Sequence, residues 1–533
     1  MADIPDITRD AQDRANSPLL ESRVEVPDSS LVKAKRSPRT SRSRKQVPSP
    51  PQQRLVVVSN RVPVPKDGAS KAGGLTVALE GALKRSGGLW FGWSGEAVEN
   101  PSDQVKVVQA GNITFAVLDL SQRDYDEYYA GFANRALWPV CHYRLDLVQI
   151  ERQELDGYFR VNRAFAASLA PLLRPDDVIW VHDYHFIPLA AELRRLGFKN
   201  RIGFFLHIPW PPSDVASALP AYQQLLQGFG AYDLVGFHTP QDAENFQRCL
   251  VRENIGSPVG TGEHEIDGHK VRIGAFPVGI DTETFVRAAA NAERNALVRR
   301  TKASLGERDL IIGVDRLDYS KGLKQRIEAF SCFIKSNPDF RNRVTYIQIT
   351  PKSRSDVPEY QRMQREIAEQ AGWTNGSLGE VDWTPVRYVN RTVGHAALAG
   401  LYRMSQIGLV TPLRDGMNLV AKEFVAAQQP DDPGVLILSR FAGAAHELDG
   451  AILVNPYDTE ACAGAIARAL RMPLEERRER WDSMMARLQT NTVEAWCQHF
   501  LSSLSNVSNE GLEAHATTST ENGRYPFSEA APA

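Results

Sequence analysis

Short apolar runs recur along this chain from Leu55 onward, and most are followed by a stretch with helical periodicity. The first run, Leu55–Ser59, is uninterrupted and β-branched, which is typical of a strand that is buried on both faces. The other predicted strands are Val178–Val181, Arg201–Leu206, Leu234–Phe237, Val271–Phe276, Leu310–Val314, Val344–Ile349, Ile407–Val410, Val435–Leu438 and Ile452–Val454. Strands that alternate with helices form parallel sheets with right-handed crossovers, so the sequence predicts an α/β fold with helices on both faces of each sheet.

The alternation pauses once, which suggests a domain boundary. At Phe276–Asp281, Pro and Gly end a predicted strand, and a long polar helix, Glu283–Ser304, is predicted to follow. A chain of 533 residues is also longer than the roughly 250–300 residues that one core usually supports. We therefore expect two Rossmann-like, doubly wound parallel-sheet domains that face a cleft, with a C-terminal helix that crosses back to the first domain. The predicted divisions are a disordered basic and Pro-rich arm (1–53), an N-terminal domain (54–276), a C-terminal domain (277–475), crossover helices (476–504) and a disordered tail (505–533).

The composition predicts a soluble cytoplasmic protein that does not bind membranes. No apolar run reaches the length of about 18 residues that a membrane-spanning helix requires, and residues 1–30 are too polar and acidic for a secretory signal. The five cysteines are scattered without C-x-x-C spacing. This pattern excludes a disulfide framework and favours a reducing compartment.

Charge is distributed unevenly along the chain. The net charge of −2 argues against bulk nucleic-acid binding, and no specific nucleic acid is predicted as a partner. Residues 33–45 nevertheless hold seven Lys and Arg side chains and no acidic one, which suits a contact with RNA, an anionic surface or an import factor. The Ser, Pro and Gln residues around them favour a solvated, disordered arm instead.

Two cations follow the predicted strand Leu310–Val314. Arg316 and Lys321 lie five residues apart in one βα loop. Together they suit a diphosphate, because Arg can fork two oxygens while Lys acts as a point charge. A surface arrangement of ion pairs with Asp315 and Asp318 explains the same residues, and the local sequence favours neither interpretation.

Two carboxylates follow the predicted strand Ile407–Val410. Gly416–Leu419 is predicted to open a helix and to expose backbone donors, with Asp415 at its mouth and Glu423 further along it. The carboxylates suit sugar or ribose hydroxyls. Taken singly, each has a simpler explanation, Asp415 as a helix N-cap and Glu423 as half of a core ion pair.

Weaker signals lie in the N-terminal half. Gly73–Gly74 precedes a predicted helix and would let backbone N–H groups approach a phosphate, although two glycines more often form only a turn. His182, His185 and His207 follow neighbouring predicted strands. A histidine at the end of a strand is more often structural than catalytic. The grouping of three histidines at neighbouring strand ends shifts this balance toward a catalytic role. The D-x-D sequence of Asp124–Asp126 is short enough to arise by chance, so no metal is predicted.

The motifs occur in an order that is similar to that of a known family. They are Val57–Arg61, Ala72–Leu75, Gly88–Gly95, Leu137–Pro139, His142–Arg144, Trp180–His185, Gly203–Pro209, Arg316–Gly322 and Asp415–Glu423. Together they resemble the UDP-forming α,α-trehalose-phosphate synthases, which are retaining glycosyltransferases of the two-Rossmann GT-B architecture. The resemblance runs from about residue 54 to residue 504, and it leaves only the tails outside.

This resemblance implies transfer of glucose from UDP-glucose to glucose 6-phosphate, which forms α,α-trehalose 6-phosphate and UDP. Both sugars would be substrates, and no cofactor is expected. The N-terminal domain would bind the acceptor, and the C-terminal domain would bind the nucleotide sugar. The implied donor-side positions are Arg316 and Lys321 for the diphosphate, His207 and Asp415 for the glucose, Gly73 and Gly74 for closure over the donor, the backbone of the 419–423 segment for phosphate, Val393 for uracil and Glu423 for ribose. The first four are the predicted catalytic residues. Asn418, Leu419 and Val420 are also counted as donor-binding residues.

On the acceptor side, the resemblance implies that Arg61 and Arg354 hold the 6-phosphate while Tyr129, Trp138 and Asp183 shape the sugar pocket. Retention often indicates a carboxylate nucleophile, but none is obvious. The family pattern is instead attack from the face of the leaving group, with the leaving phosphate taking the acceptor proton.

Two other functions stay open at this stage. One is a non-catalytic regulatory subunit that senses sugar phosphates, and the other is a related transferase with another donor or acceptor. The presence of Arg61, Arg316, Lys321 and Glu423 disfavours the regulatory subunit. The resemblance further implies a homo-oligomer, with a trehalose-phosphate phosphatase as a candidate partner. No D-x-D-x-T motif follows Leu504, so a fused phosphatase is not expected.

Overall fold

Two sheets organise the chain. The computed structural model describes residues 53–65, 79–84, 87–102, 104–352 and 358–507, and within them sixteen strands form one ten-stranded and one six-stranded sheet. The strands are β1 Leu55–Arg61, β2 Gly88–Val98, β3 Lys106–Ala110, β4 Ile113–Ser121, β5 Val178–His182, β6 Arg201–Phe205, β7 Leu234–Phe237, β8 Ser257–Gly260, β9 Glu263–Ile266, β10 His269–Ala275, β11 Asp309–Val314, β12 Val344–Ile349, β13 Val386–Val389, β14 Ile407–Val410, β15 Val435–Ser439 and β16 Ile452–Val454. Their orders are β3-β4-β2-β1-β5-β6-β7-β10-β9-β8 and β13-β12-β11-β14-β15-β16. Each sheet therefore reverses its strand order near its first strand, as doubly wound sheets do.

The second sheet is parallel throughout, whereas the first is parallel only in its centre. Strand β3 pairs antiparallel with β4 at one edge, and β8, β9 and β10 form an antiparallel set at the other. The first sheet therefore has the predicted parallel centre, with antiparallel strands at its edges that the sequence did not predict. Residues of β3 and β8 are almost all exposed, so they lack the apolar run that identifies a buried strand.

Strand β2 was also missed, because glycines interrupt its apolar sequence. Gly92 lies so close to β1 that a Cβ atom there would be 2.0 Å from the Ser59 carbonyl oxygen. A side chain cannot be accommodated at that distance, so the glycine permits the β1–β2 pairing. The interruption that hides β2 in the sequence thus has a packing cause.

Helices connect and cover the strands. Besides helical residues 79–84, the described helices are α1 Gln122–Asp124, a π-helical segment Tyr125–Leu137, α2 Trp138–Cys141, α3 Arg152–Leu169, α4 Leu189–Arg195, α5 Ser213–Ala216, α6 Tyr222–Phe229, α7 Pro240–Arg252, α8 Thr282–Asn291, α9 Ala296–Leu305, α10 Leu323–Ser336, α11 Pro358–Leu378, α12 His395–Arg403, α13 Leu419–Ala427, α14 Thr459–Leu470, α15 Leu474–Thr490 and α16 Val493–Ser505. Short 3₁₀ turns are Leu145–Leu147, Ala170–Leu172, Tyr184–Phe186, Ala292–Arg294, Tyr319–Lys321, Pro338–Phe340 and Gly443–His446. None of the helices in the described ranges combines the length and the apolarity that crossing a bilayer requires.

The single helix predicted over Glu283–Ser304 is instead two helices, α8 and α9. Asn295 separates them in an extended conformation, and its side chain accepts a hydrogen bond from the Leu297 N–H at 2.9 Å. An asparagine that caps a new helix in this way competes with continuation of the previous one, which explains the break.

The chain crosses between the two sheets twice, and the two crossings touch. Gly279 lies on the first crossing, where a Cβ atom would be 2.0 Å from the Asn491 carbonyl oxygen of the second. The Val493 N–H donates to the Ile280 carbonyl oxygen at 3.1 Å. Helix α15 precedes this point and stays on the second sheet, since Trp481 Nε1 donates to the Val425 carbonyl oxygen.

Helix α16 then crosses back onto the first sheet, as predicted. Phe500 is fully buried and stacks on Trp180 of β5, with ring centroids 4.7 Å apart. Gly203 of β6 and Gly236 of β7 leave the space for this ring, because a Cβ atom on either would approach it to 2.8 Å. One core cluster consequently includes residues of both sheets together with α16. The domain divisions given above otherwise stay predictions, and most of the predicted N-terminal arm and C-terminal tail lies outside the described residues.

We expect Phe500→Ala to lower the free energy of unfolding by about 3–5 kcal/mol, because it removes a buried aromatic side chain and the two facing glycines cannot fill the space. Denaturant titration followed by intrinsic fluorescence would measure the effect. Gln498→Ala is the matched control, since Gln498 is exposed on the same helix and its side chain donates to Glu494 on that helix. Equal transition midpoints for the two variants would contradict the packing role of α16.

Candidate active site

The carboxyl ends of the two sheets face each other across a cleft. Gly416, which follows β14, lies so close to His207, which follows β6, that a Cβ atom there would be 2.3 Å from the His207 carbonyl oxygen. Arg414 places its Cζ atom 3.9 Å from the ring centroid of Tyr143, which belongs to the first half of the chain. Residues that follow strands of either sheet therefore share one space, where ligands bind in folds of this type.

Arg316 reaches across this cleft. Its Cζ atom lies 4.8 Å from the ring centroid of Trp138, and its Nε atom lies 3.6 Å from Oδ2 of the fully buried Asp318. The guanidinium is stabilised by the aromatic face on one side and by the carboxylate on the other. Its side chain keeps 45% exposure, so the cation stays open to a ligand in the cleft.

Lys321 forms a buried ion pair that the sequence did not predict. Its Nζ atom lies 2.5 Å from Oδ2 of Asp415, to which Asn418 Nδ2 also donates at 2.9 Å. Burial alone would raise the pKa of Asp415, but the Lys321 ammonium and the Asn418 amide outweigh it and hold that pKa below its ordinary value. Asp415 is therefore ionised at neutral pH.

Helix α13 begins beside this ion pair. Its N-cap is Asn418, whose side chain accepts from the Ala421 N–H, so the interpretation of Asp415 as the N-cap was wrong. The N–H groups of Leu419 and Val420 lie in the first turn and have no acceptor within the helix. First-turn N–H groups and the positive end of the helix dipole together suit a phosphate.

Glu423 lies one turn further along α13 and is only partly exposed. Burial, with a smaller effect from the charge of Asp315, raises the pKa of Glu423 to about 7. Within the described residues its carboxylate forms no hydrogen bond or ion pair. The core ion pair belongs instead to its neighbour Lys422, which binds Glu447 at 2.5 Å, so the interpretation of Glu423 as a core ion-pair partner was also wrong.

His207 and Asp183 follow neighbouring strands in the first sheet. The backbone N–H of His207 donates to Asp183 Oδ1 at 3.2 Å, and the ring Nε2 of His207 lies 3.0 Å from Nδ1 of His182. Burial lowers the pKa of His182 and of His207 well below the ordinary value, so both rings are neutral. Asp183 has a φ of 77°, which is uncommon for a residue with a side chain and is typical of functional sites.

Aromatic side chains form the wall on the acceptor side. Tyr129 stacks on His185 with ring centroids 5.8 Å apart, and it also lies 5.5 Å from Trp93. Arg61 extends over the same Trp93 ring, with its Cζ atom 5.7 Å from the centroid. Trp138 is buried against Tyr184, 5.7 Å away, and presents a face to Arg316. A cation and several aromatic faces thus lie where the acceptor was predicted to bind.

Some predicted site residues are not placed within this group. Gly73, Gly74 and Arg354 lie outside the described residues. Val393 is in the loop between β13 and α12, at the same edge of the second sheet, and it packs partly against the core. Their roles therefore stay predictions.

Arg326 is a site residue that sequence reasoning missed. It is almost fully buried in α10, donates to Asp315 Oδ2 at 2.6 Å and donates to Thr411 Oγ1 at 3.1 Å. Asp315 thus has Arg326 as its ion-pair partner, whereas the predicted alternative pairing with Asp318 does form, through Arg316. A lone arginine on the apolar face of a predicted helix was the available signal.

Both aspartates of the D-x-D sequence accept hydrogen bonds from other side chains. Asp124 accepts from Arg160 Nη2 at 2.6 Å, and Asp126 accepts from Gln122 at 3.0 Å. Across the part of the chain that the structure describes, no three His, Cys, Asp or Glu side chains are grouped to hold a metal ion. Activity without a metal stays a prediction, to be tested with a chelator.

Comparison with known proteins assigns the chain to a family. The sequence model of glycosyltransferase family 20 matches residues 53–506. The chain belongs to glycosyltransferase family 20. It is 61% identical over 454 residues to the trehalose-6-phosphate synthase of Sinorhizobium fredii, a match that covers 85% of this chain and 98% of that relative.

Solved structures of family 20 members agree with this assignment. An α,α-trehalose-phosphate synthase (UDP-forming) from Burkholderia xenovorans in complex with glucose-6-phosphate has a TM-score of 0.81 at 48% identity, over 85% of this chain and all of that one. The Escherichia coli protein bound with UDP-2-fluoro glucose has a TM-score of 0.82 at 46% identity, over 86% of this chain and all of that one. The predicted family, fold class and enzyme class, a UDP-forming hexosyltransferase, are confirmed.

Proposed function

We propose that this family 20 enzyme transfers glucose from UDP-glucose to glucose 6-phosphate with retention, forming α,α-trehalose 6-phosphate and UDP. The observation that carries the proposal is the position of Arg316 and Lys321, which come from one loop and lie at the cleft between the two sheets. Solved relatives with the same fold were bound to glucose 6-phosphate and to UDP-2-fluoro glucose, which supports both substrates.

The two cations match the charge that this reaction develops. Breaking the bond between glucose and UDP builds negative charge on the diphosphate. Two unit charges about 4 Å apart interact by roughly 4 kcal/mol at an effective dielectric constant of about 20, which is enough to matter for a leaving group. Arg316 and Lys321 would supply this stabilisation together with the first-turn N–H groups of Leu419 and Val420.

Asp415 is not available as the carboxylate nucleophile that a double displacement with retention would use. Asp415 is engaged by both Lys321 and Asn418, and its lowered pKa makes it a poor proton acceptor. We assign it to donor glucose hydroxyls, beside His207. The acceptor would attack from the face of the leaving group and give its proton to the departing phosphate, while Tyr129, Trp138 and Asp183 hold its ring and Arg61 holds its phosphate.

The proposal is tested with purified full-length protein, glucose 6-phosphate and UDP-glucose, GDP-glucose or ADP-glucose, each with and without a chelator. We expect a non-reducing disaccharide phosphate and the free nucleoside diphosphate, with the α,α linkage read from NMR couplings. Formation of no disaccharide phosphate from any donor would overturn the proposal in favour of a non-catalytic subunit. Chelator-sensitive turnover would overturn the prediction that no metal is needed.

The donor KM should depend on pH through Glu423. A carboxylate accepts hydrogen bonds from ribose hydroxyls only when ionised, and Glu423 has a pKa of about 7 without donor. The apparent KM for UDP-glucose should therefore rise as pH falls below about 7, approaching about tenfold per pH unit for one proton. Initial rates between pH 5.5 and 8.5 would measure this rise.

Glu423→Gln is the matched variant for this test. It keeps the size of the side chain and cannot ionise, so its donor KM should be high at every pH and should lack the rise in acid. An unchanged pH profile in Glu423→Gln would remove Glu423 from the ribose site.

Assembly and location extend the proposal. We infer a homo-oligomer, supported by Val107 and Val108, which are 55% and 40% exposed on the edge strand β3, and light scattering would measure its mass. A phosphatase that removes phosphate from the disaccharide product is the proposed partner.

We place the enzyme in the cytoplasm, supported by its five free cysteines, four of them buried, which a reducing compartment preserves.

A further inference from the structure

His182, the last residue of β5, is a buried histidine that the proposed chemistry does not use. It is only 1% exposed, and its Nδ1 atom lies 3.0 Å from His207 Nε2. The two rings are nearly parallel, with centroids 5.3 Å apart and planes inclined by 23°. His182 is therefore in position to determine how the His207 ring is held.

Within the described residues, the contact with His207 is the hydrogen bond that the His182 ring forms. Its other ring nitrogen, Nε2, is buried and has no hydrogen-bond partner within the described residues. Trp180 lies 4.5 Å from the ring, and Trp496 of helix α16 lies 6.3 Å from it. Two tryptophan rings thus pack near the His182 ring, and neither is recorded as a hydrogen-bond partner of its Nε2 atom.

The protonation states of the two rings determine which histidine donates the hydrogen bond between them. Burial lowers the pKa of both rings, so each is neutral and carries one N–H and one lone pair. A proton on His182 Nε2 would be a buried donor without an acceptor, which is costly and rare. The proton of His182 therefore belongs on Nδ1, where His207 Nε2 accepts it.

The hydrogen bond from His182 also determines which ring nitrogen of His207 carries its proton. Because its Nε2 lone pair is used, the single proton of His207 must sit on Nδ1. Within the described residues His207 Nδ1 forms no hydrogen bond, and the side chain is partly exposed. The third histidine nearby, His238, has a ring centroid 5.5 Å away and a pKa lowered by burial to about 3, so it is also neutral.

We propose that His182 is a positioning residue, which donates from Nδ1 to His207 Nε2 and so fixes His207 as an Nδ1–H donor toward the glucosyl group of the donor. The role of His207 rests on the proposed function. His182 itself touches no substrate and acts only through His207. A histidine held in one tautomer by a neighbouring group is a recurrent device for orienting a donor.

Two substitutions of His182 separate positioning from packing. His182→Phe keeps an aromatic ring against Trp180 and Trp496 but removes the donor, and His182→Asn keeps a donor near the Nδ1 position. We expect kcat to fall about tenfold or more in His182→Phe and to stay within about threefold of wild type in His182→Asn, because only the former loses the N–H. Equal losses in both variants at equal thermal stability would overturn the proposal.

A double-substitution cycle tests whether His182 acts through His207. In a His207→Ala background, His182→Phe should cause no further loss of kcat, because the residue that it positions is gone. The KM for glucose 6-phosphate should be unchanged by His182→Phe throughout. Additive losses, or a His207→Ala variant with normal turnover, would overturn the proposal while leaving the proposed function intact.

A spectroscopic measurement keeps the inference testable even if the protein forms no disaccharide. Nitrogen-15 NMR of histidine-labelled protein, assigned with His182→Asn and His207→Asn, reports which ring nitrogen of each histidine is protonated. We expect Nδ1 protonation of both residues in wild type and a mixture of tautomers for His207 in His182→Phe. Nε2 protonation of His207 in wild type would overturn the proposal.

Discussion

Replacing Arg316 by alanine should lower kcat by about 10²–10³-fold, the cost of removing one preorganised group from a charge that develops in the transition state. The fold should persist, because the Arg316 side chain is 45% exposed and its recorded contacts are with Trp138 and Asp318. The KM for glucose 6-phosphate should change little, since the interaction is made mainly as the diphosphate departs. Steady-state kinetics at saturating substrates, with thermal denaturation as the check on folding, would measure both.

Arg144→Ala is the control for this experiment. Arg144 also places a guanidinium over an aromatic ring on the opposite side of the cleft, with its Cζ atom 5.4 Å from the centroid of Tyr319. If Arg316 served only to hold the two halves together, the two variants would lose similar activity. We expect the loss in Arg144→Ala to be smaller by at least an order of magnitude, and near-normal turnover in Arg316→Ala would contradict the assignment.

The buried part of the fold could be predicted from sequence because buried parallel strands are continuous apolar runs. Strands β7, β12, β14 and β16 have the same bounds in the structure as in the prediction. Strands β3 and β8 could not be found in this way, since their residues are mostly exposed and only the hydrogen bonds of a neighbouring strand make them strands. Local sequence therefore predicts which strands are buried, but it does not predict which strands pair with each other.

The same limit applies to the site. Parallel strands end at one edge of a sheet, so the residues after them could be predicted to meet, and Arg316, His207 and Asp415 lie at the cleft as that rule requires. Which of them pair could not be predicted. Lys321 and Asp415 are separated by 94 residues, and Arg326 reaches Asp315 from inside a helix. The positions of the charged residues could therefore be predicted from the sequence, but the ion pairs that they form could not.

Replacing Lys321 by methionine should damage both stability and turnover. Its Nζ atom lies 2.5 Å from Asp415 Oδ2, and the two side chains are only 10% and 12% exposed. Loss of one partner leaves the other charge buried and uncompensated, which typically costs about 3–5 kcal/mol of folding free energy. The same change removes a cation from the proposed diphosphate site, so kcat should fall by about 10²-fold or more.

A second substitution separates these two losses. In Lys321→Met/Asp415→Asn no charge is left unpaired, and the asparagine oxygen can still accept the hydrogen bond that Asn418 gives to Asp415 at 2.9 Å. Most of the lost free energy of unfolding should therefore return in the double variant, because a neutral pair avoids the desolvation penalty. Turnover should stay well below that of an Asp415→Asn single variant, since stabilising the departing diphosphate requires the positive charge of Lys321 itself.

Denaturant titration and steady-state kinetics on the wild type, Lys321→Met, Asp415→Asn and the double variant would measure both quantities. Recovery of kcat together with stability would show that Lys321 serves only to neutralise Asp415, and it would remove Lys321 from the leaving-group site. Failure of both to recover would indicate that the pair fixes the start of α13 geometrically. Recovery of stability alone is the result expected of a lysine whose charge is held in place by Asp415 until the diphosphate binds.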